Sequence, residues 1–302
     1  MVDYIENMLE TVSEEIKGVS ATPAAHYPFD ISKDAIKFSR TNADLFHYYV
    51  AQLVYLSNQA RLEMKLVVPF LCTIFIELDI YKYKSLTWLM KYIQCTIGLP
   101  LILSIDKYGN IKWYFDAVFP VHKDMSSHNG GSVTMGTGGA CVKSRNQKLN
   151  TKSSTESDLV GVYNVLIHVI WTQYFLKEQG YKIHYNVIYQ DNHGAIKLEK
   201  NFRQSSIKHT RHINIMYYFI TDSIKKQESS VEFCTTLYMM GGYFIKALQG
   251  YQFLPLHNII LGIHKYNIPY YNVSGIALID EQKIKLERSK EVDQKSVKLV
   301  GE

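Results

Sequence analysis

Apolar side chains recur at helical spacing through the first third of the chain. Ile5, Met8, Leu9 and Val12 share one face of a short helix predicted within residues 1–17. Phe46, Tyr49, Val50, Leu53 and Leu56 repeat that spacing, as do Leu86, Leu89, Met90 and Ile93. The stretch 66–76 between them is apolar nearly all round, and residues 18–29, with Pro23 and Pro28, read as a loop. Residues 1–100 are therefore expected to be a mainly helical unit.

The period changes at Leu101. Residues 101–105 and 111–115 read as strands joined through Asp106-Lys107-Tyr108-Gly109-Asn110, a hairpin signal. Further strands are predicted over 132–136 and 140–144. A long helix follows over 154–178 and stops at Gly180. Residues 183–190 end in a nearly continuous apolar run, as in the buried middle of a sheet. Helices are predicted over 192–200 and 213–226, and a last short strand over 230–234. This order gives an α/β fold over 101–263, a mixed sheet flanked by helices. Beyond residue 263 periodicity is lost, and 281–302 mixes charges with few apolar residues, so 264–302 is expected to be a poorly ordered tail.

Composition narrows the class. Hydrophobic residues make up 47% and charged residues 20% of the 302, a globular balance with room for one large domain or two ordinary ones. A net charge of +5 admits a nucleic-acid partner without demanding one. Cys72, Cys95, Cys141 and Cys234 are far apart and form no zinc-type pairs, which fits reduced thiols in an intracellular protein. The acidic N-terminus is no secretory or mitochondrial leader, and the apolar run at 66–76 contains Pro69 and is too short to span a bilayer. No membrane partner is expected.

Three carboxylates carry the candidate chemistry: Asp116 at the end of a predicted strand, Glu156 in the first turn of the long helix, and Asp191 closing the apolar strand. Acidic groups gathered from separate elements repel unless a divalent cation neutralises them, and two-metal sites cut phosphodiesters. Each residue also has a plain explanation. Asp116 ends a strand, Ser153-x-x-Glu156 is a capping box, and Asp191 or Asn192 would cap the helix that follows. Lys143, Arg145, Lys148 and Lys152 precede or flank Glu156, and Lys208 and Arg211 follow Asp191, a supply of cations for phosphates or simply solvated charge. Gly136-Thr137-Gly138-Gly139 lacks the Lys-Ser/Thr ending of a phosphate loop and reads better as a tight turn.

These motifs, in this order, resemble the copia-type retrotransposon polyprotein from about Phe38 to Ile263. The passages that carry the resemblance include Trp113 to His122, Lys148-Leu149-Asn150-Thr151-Lys152-Ser153-Ser154-Thr155-Glu156, Tyr189 to Ala195, and Lys246-Ala247-Leu248-Gln249-Gly250. The resemblance implies that residues 1–100 are the end of a reverse transcriptase and 101–263 a ribonuclease H-like domain, which hydrolyses RNA in RNA–DNA hybrids. It implies magnesium held by Asp116, Glu156 and Asp191 as the catalytic carboxylates. Departures from the family pattern follow. No Asp-Asp pair of the polymerase signature occurs, Gly242 stands where a fourth aspartate belongs, and Ile245 replaces a threonine. Impaired cleavage, with a single magnesium ion, is expected; the alternative is a non-catalytic remnant that binds nucleic acid.

Overall fold

The structure, a computed structural model, describes residues 1–12, 16–25, 40–72, 78–106, 109–119, 122, 125–200 and 211–263, with the backbone alone for 40–42 and 211–214. The expected tail, 264–302, lies outside the described residues.

The described part of the first hundred residues is mainly helical, as its spacing predicts. Helices α1 (Val2–Glu10), α2 (Arg40–Gln59), α3 (Val67–Cys72) and α4 (Ile80–Cys95) share one core. Phe46, Leu53 and Leu56 of α2 meet Leu86, Leu89 and Ile93 of α4 there, joined by Ile5 and Met8 of α1. Helix α4 starts at Asp79, whose side chain accepts the amides of Tyr81 and Lys82, each at 3.0 Å. Pro69 is tolerated in α3 because amides of a first helical turn have no intrahelical acceptor.

Five strands form one mixed sheet. In spatial order they are β5 (Cys141–Asn146), β3 (His128–Thr134), β2 (Asn110–Val118), β6 (Tyr185–Gln190) and β7 (Ser230–Phe233). β2 runs antiparallel to β3 and parallel to β6. The expected hairpin between residues 101–105 and 111–115 does not form. Instead β1 (Ser104–Ile105) pairs with β4 (Gly136–Thr137) in a small separate ladder, although Asp106 Oδ1 still accepts the Asn110 amide at 3.2 Å. β2 is thereby left to occupy the sheet centre, where both its edges are paired.

Alternation along β2 sorts two cores. Ile111, Trp113, Phe115 and Ala117 face α5 (Ser154–Glu178) and α7 (Arg211–Lys225), together with Leu159, Val162, Leu166 and Ile188. Helix α5 lies close on the sheet because position 161 is glycine; a Cβ there would fall 1.9 Å from the Phe115 ring. Helix α5 is long and apolar enough to cross a bilayer by length and composition, and 39% of that apolar window is buried inside the fold. Helix α6 (His193–Lys200) packs against α5, α7 and β7.

The opposite face carries Tyr114, covered by α8 (Met240–Tyr243) and α9 (Gly250–Leu261). Spacing does not predict α9: Phe253, Leu254, Leu256, Ile259 and Ile260 make it apolar nearly all round, and Pro255 lies inside it. Leu62, from the helical first part, joins this core. Beside it Arg61 and Glu63 form a buried ion pair with Nε–Oε1 2.5 Å. Arg61 also donates to the Thr96 carbonyl and hydroxyl at 3.0 and 2.6 Å, and Tyr92 Oη lies 3.0 Å from His257 Nε2 of α9. Gln249 Nε2 donates to the Ala24 carbonyl at 2.8 Å, a second tie between the two parts.

Candidate active site

Asp116 is near the end of β2, on the face opposite Phe115, where α8 crosses the sheet. The crossing is close: a Cβ on Gly241 would lie 2.6 Å from the Asp116 amide nitrogen, so any other residue would push α8 off the strand. A Cβ on Gly242 would meet only Asp116 Oδ2, at 3.3 Å. That oxygen is buried without a hydrogen-bond partner, and the Lys246 ammonium stands 3.8 Å away. Burial first, then the Asp191 charge, pushes the Asp116 carboxyl up to about 6, against the opposing pull of Lys246 and the Ala117 amide.

The third carboxylate brought to Asp116 and Asp191 is Asp158, and this corrects the expectation for Glu156. Ser153 Oγ accepts the Glu156 amide at 3.2 Å, and Glu156 Oε2 turns back to accept the Lys152 amide at 2.7 Å. That is a capping box displaced by one residue, since the amide accepted is that of Lys152 and not of the cap Ser153, and it fixes Glu156 backward over the helix start, near enough to Tyr217 to add to the raised pKa of that phenol. Two residues further on is about 200° around a helix, so Asp158 points the other way. It is buried; Oδ2 accepts from Asn192 Nδ2 at 2.8 Å, while Oδ1 has no partner. Burial first, then the charges of Asp116 and Asp191, pushes Asp158 up to about 7 against the Asn192 hydrogen bond and the Ala117 amide.

Sequence did hold a signal for Asp158. It heads the stripe Asp158, Val162, Leu166, Val169, spaced four, four and three residues apart and buried throughout. A carboxylate at the head of a buried stripe has either a partner or a task.

Asp191 follows β6, and Thr236 Oγ1 donates to its Oδ2 at 3.0 Å. The cap of α6 is Asn192, whose Oδ1 accepts the amides of Gly194 and Ala195 at 2.9 and 3.2 Å. One amide side chain thus starts α6 and holds Asp158. Behind Asp158, Glu199 of α6 is fully buried with neither oxygen paired, and burial together with the Asp158 charge pushes it up to about 8. Gln190 is likewise buried with its amide unpaired.

Among the expected cations, Lys143 is half-buried and Arg145 exposed on β5, and Lys148 and Lys152 are exposed in the segment between β5 and α5. Lys208 and the side chain of Arg211 lie outside the described residues.

Magnesium would find hard oxygen donors here, two of them buried and unpartnered, Asp116 Oδ2 and Asp158 Oδ1. Among the described residues, however, no three His, Cys, Asp or Glu side chains form a ready-made metal site. The donor chemistry fits a divalent cation, and the spacing falls short of a closed cage.

No protein-family model matches the chain. Among solved structures, it is similar to ribonuclease H1 from the halophilic archaeon Halobacterium salinarum NRC-1, at 10% identity and a TM-score of 0.28, over 42% of this chain and 87% of that one. It is also similar to LC11-RNase H1, isolated from compost by a metagenomic approach, at 11% identity and a TM-score of 0.29, over 42% and 84%. A further structure of LC11-RNase H1, in complex with an RNA/DNA hybrid, overlaps at 9% identity and a TM-score of 0.30, over 42% and 86%.

Proposed function

We propose that residues 101–263 are a degenerate ribonuclease H-like unit of copia-type retrotransposon origin that cleaves the RNA strand of RNA–DNA hybrids slowly, with residues 1–100 the helical end of a reverse transcriptase. The observation that carries the reading is the meeting of Asp116, Asp158 and Asp191, from a strand, a helix and a strand end, with burial raising two of the three. Asp116 and Asp158 would hold magnesium through their unpartnered oxygens. Bound there, the ion supplies Lewis-acid polarisation of the phosphate and charge compensation. Asn192 orients Asp158, and Thr236 orients Asp191. Gly242 supplies no fourth carboxylate beside Asp116, and Lys246 offers that oxygen a competing positive charge, so occupancy of the site is weak.

The Lys246–Asp116 pair and the open spacing of the carboxylates also favour a second reading, a hybrid-binding remnant that no longer cleaves. Cleavage of a labelled hybrid in magnesium decides between them. The nuclease reading expects slow cleavage that Asp158→Asn abolishes, Glu156→Gln leaves intact and Gly242→Asp accelerates by about 10-fold or more, the scale of one added metal ligand. Salt-sensitive hybrid binding with no cleavage, in the wild type and in folded Gly242→Asp alike, selects the remnant. Equal cleavage by wild type and Asp158→Asn would remove Asp158 from the site.

A further inference from the structure

Helix α5 carries a stripe that leaves the core and ends in open solvent. Gly161, Asn164, His168, Trp171 and Phe175 are spaced three or four residues apart, so they share one side of the helix. At its start Gly161 rests on Phe115, and Asn164 lines a small cavity with Asn129, Lys143 and Arg145. Next, His168 Nε2 lies 2.6 Å from Lys143 Nζ, which makes the imidazole the acceptor and therefore neutral. Burial, then Arg145, lowers the pKa of Lys143; burial, then Lys143 and Arg145, lowers that of His168. Among the described residues no carboxylate pairs with this cationic group. Beyond it, Trp171 and Phe175 stack at 5.1 Å with planes 10° apart, at 62% and 47% exposure.

Packing accounts for Gly161 and not for the exposed rings. The buried side of α5 is Leu159, Val162, Leu166 and Val169, and the stacked pair adds nothing to that core. Two exposed aromatic planes beside uncompensated cations suit a ligand that offers phosphates and flat, unstacked bases together. A duplex hides its base faces, so the fitting ligand is a single strand. Along the sheet the cations are close to Asp116: Ser144, between Lys143 and Arg145, pairs with Gly130, which pairs with Asp116, so their backbone is two strands away, roughly 10 Å, with their side chains on the α5 face and that of Asp116 on the other.

We propose that Lys143, Arg145, Trp171 and Phe175 form a binding track for single-stranded nucleic acid, the unpaired continuation of a hybrid held at the carboxylates. The cations take backbone phosphates and the aromatic pair takes bases. The inference rests on the nucleic-acid reading of the carboxylate site. An anionic membrane surface would also attract cations and a tryptophan; the buried seating of α5 and the parallel rings favour the strand.

The test is fluorescence anisotropy in EDTA, where cleavage cannot occur, with a labelled RNA–DNA hybrid either blunt or carrying a single-stranded extension of about ten nucleotides. The extension is expected to tighten binding about 10-fold or more, the scale of one or more bases stacked on an aromatic ring. Trp171→Ala with Phe175→Ala should erase that gain and leave blunt-hybrid affinity unchanged. Lys143→Ala with Arg145→Ala should lower the salt slope for the extended ligand by about 1 to 2. All four side chains are at least partly exposed, and thermal melts of the variants report folding. An extension that adds no affinity, or a folded aromatic variant that keeps the gain, overturns the track. So does binding to phosphatidylserine vesicles that needs Trp171 and Phe175 while extended-hybrid binding does not. Failure of wild type to bind even the blunt hybrid would instead strike the earlier reading, which makes the two failures distinguishable.

Discussion

Two buried polar clusters in this molecule follow opposite rules. Around Arg61, opposite charges meet: the guanidinium holds Glu63 and Thr96, Tyr92 bridges toward His257, and Glu63 Oε2 is left unpaired. Around Asp158, like charges meet: Asp191 raises Asp116, both raise Asp158, Asp158 raises Glu199, and four carboxylate oxygens are buried without a donor. The first arrangement compensates much of its own desolvation and ties α9 to the helical part of the chain. The second compensates little. A fold keeps such a cost where something outside the chain, a cation or a phosphate-bearing ligand, makes up the difference. Charge complementarity within the protein therefore separates a structural cluster from a candidate site.

Breaking the first cluster should have the largest effect. Removing one partner strands a buried charge, so Glu63→Ala is expected to cost about 3–5 kcal/mol in urea unfolding. The second cluster should respond with the opposite sign. Asp158 is raised in the folded state above its ordinary value of 3.8, so folding takes up a proton and stability falls as pH rises from about 4 to about 7. Asp158→Asn should then stabilise the fold by about 1–3 kcal/mol at pH 7, with the gain vanishing near pH 4. Millimolar magnesium should raise the melting temperature of the wild type and not of this variant. An Asp158→Asn protein less stable at pH 7 would show the carboxylate to be structural.

The imidazole of the first cluster sharpens the contrast. Burial holds His257 down at about 4, so the unfolded chain takes up a proton that the folded chain refuses. Its contribution is full above about 6.5 and is lost as pH falls toward 4, the reverse of Asp158. His257→Gln should reduce the stability lost between pH 7 and 5 by about 1–2 kcal/mol, measured by unfolding at both pH values. The smallest effect belongs to the displaced candidate. Glu156→Ala removes a capping interaction, so a loss of about 0.5–1 kcal/mol is expected, with hybrid cleavage unchanged. A large loss of cleavage there would return Glu156 to the site.

Much of the fold was legible because periodicity is a local property. The stripes of α2 and α4, and the limits of α5 from its Ser153 cap to Gly180 at φ +85°, follow from neighbours three or four residues apart. Pairing was not. The segment at 104–105 has the same strand character whether it joins β2 or β4, and only the packed sheet chooses. Helix α9 escaped because a helix apolar on nearly every side has no period to read. At the site, Asp116 and Asp191 stand out as strand-end carboxylates, and Glu156, through its motif and the resemblance built on it, is more conspicuous than Asp158. Asp158 showed only as a charge at the head of a buried stripe.

By itself the sequence determined most of the helices and strands and the mixed sheet with helices about it, since each follows from spacing and local chemistry, and it offered Asp116 and Asp191 as candidates. Only the tertiary structure decided that Asp158 lies beside Asp116 and Asp191, that Gly242 and Lys246 stand against Asp116, and that Trp171 and Phe175 stay in water beside cations that meet no carboxylate among the described residues. The reason is physical: whether a charge meets a partner, another like charge or solvent depends on which distant elements pack against it. That is settled by burial across the whole chain, which no local pattern encodes.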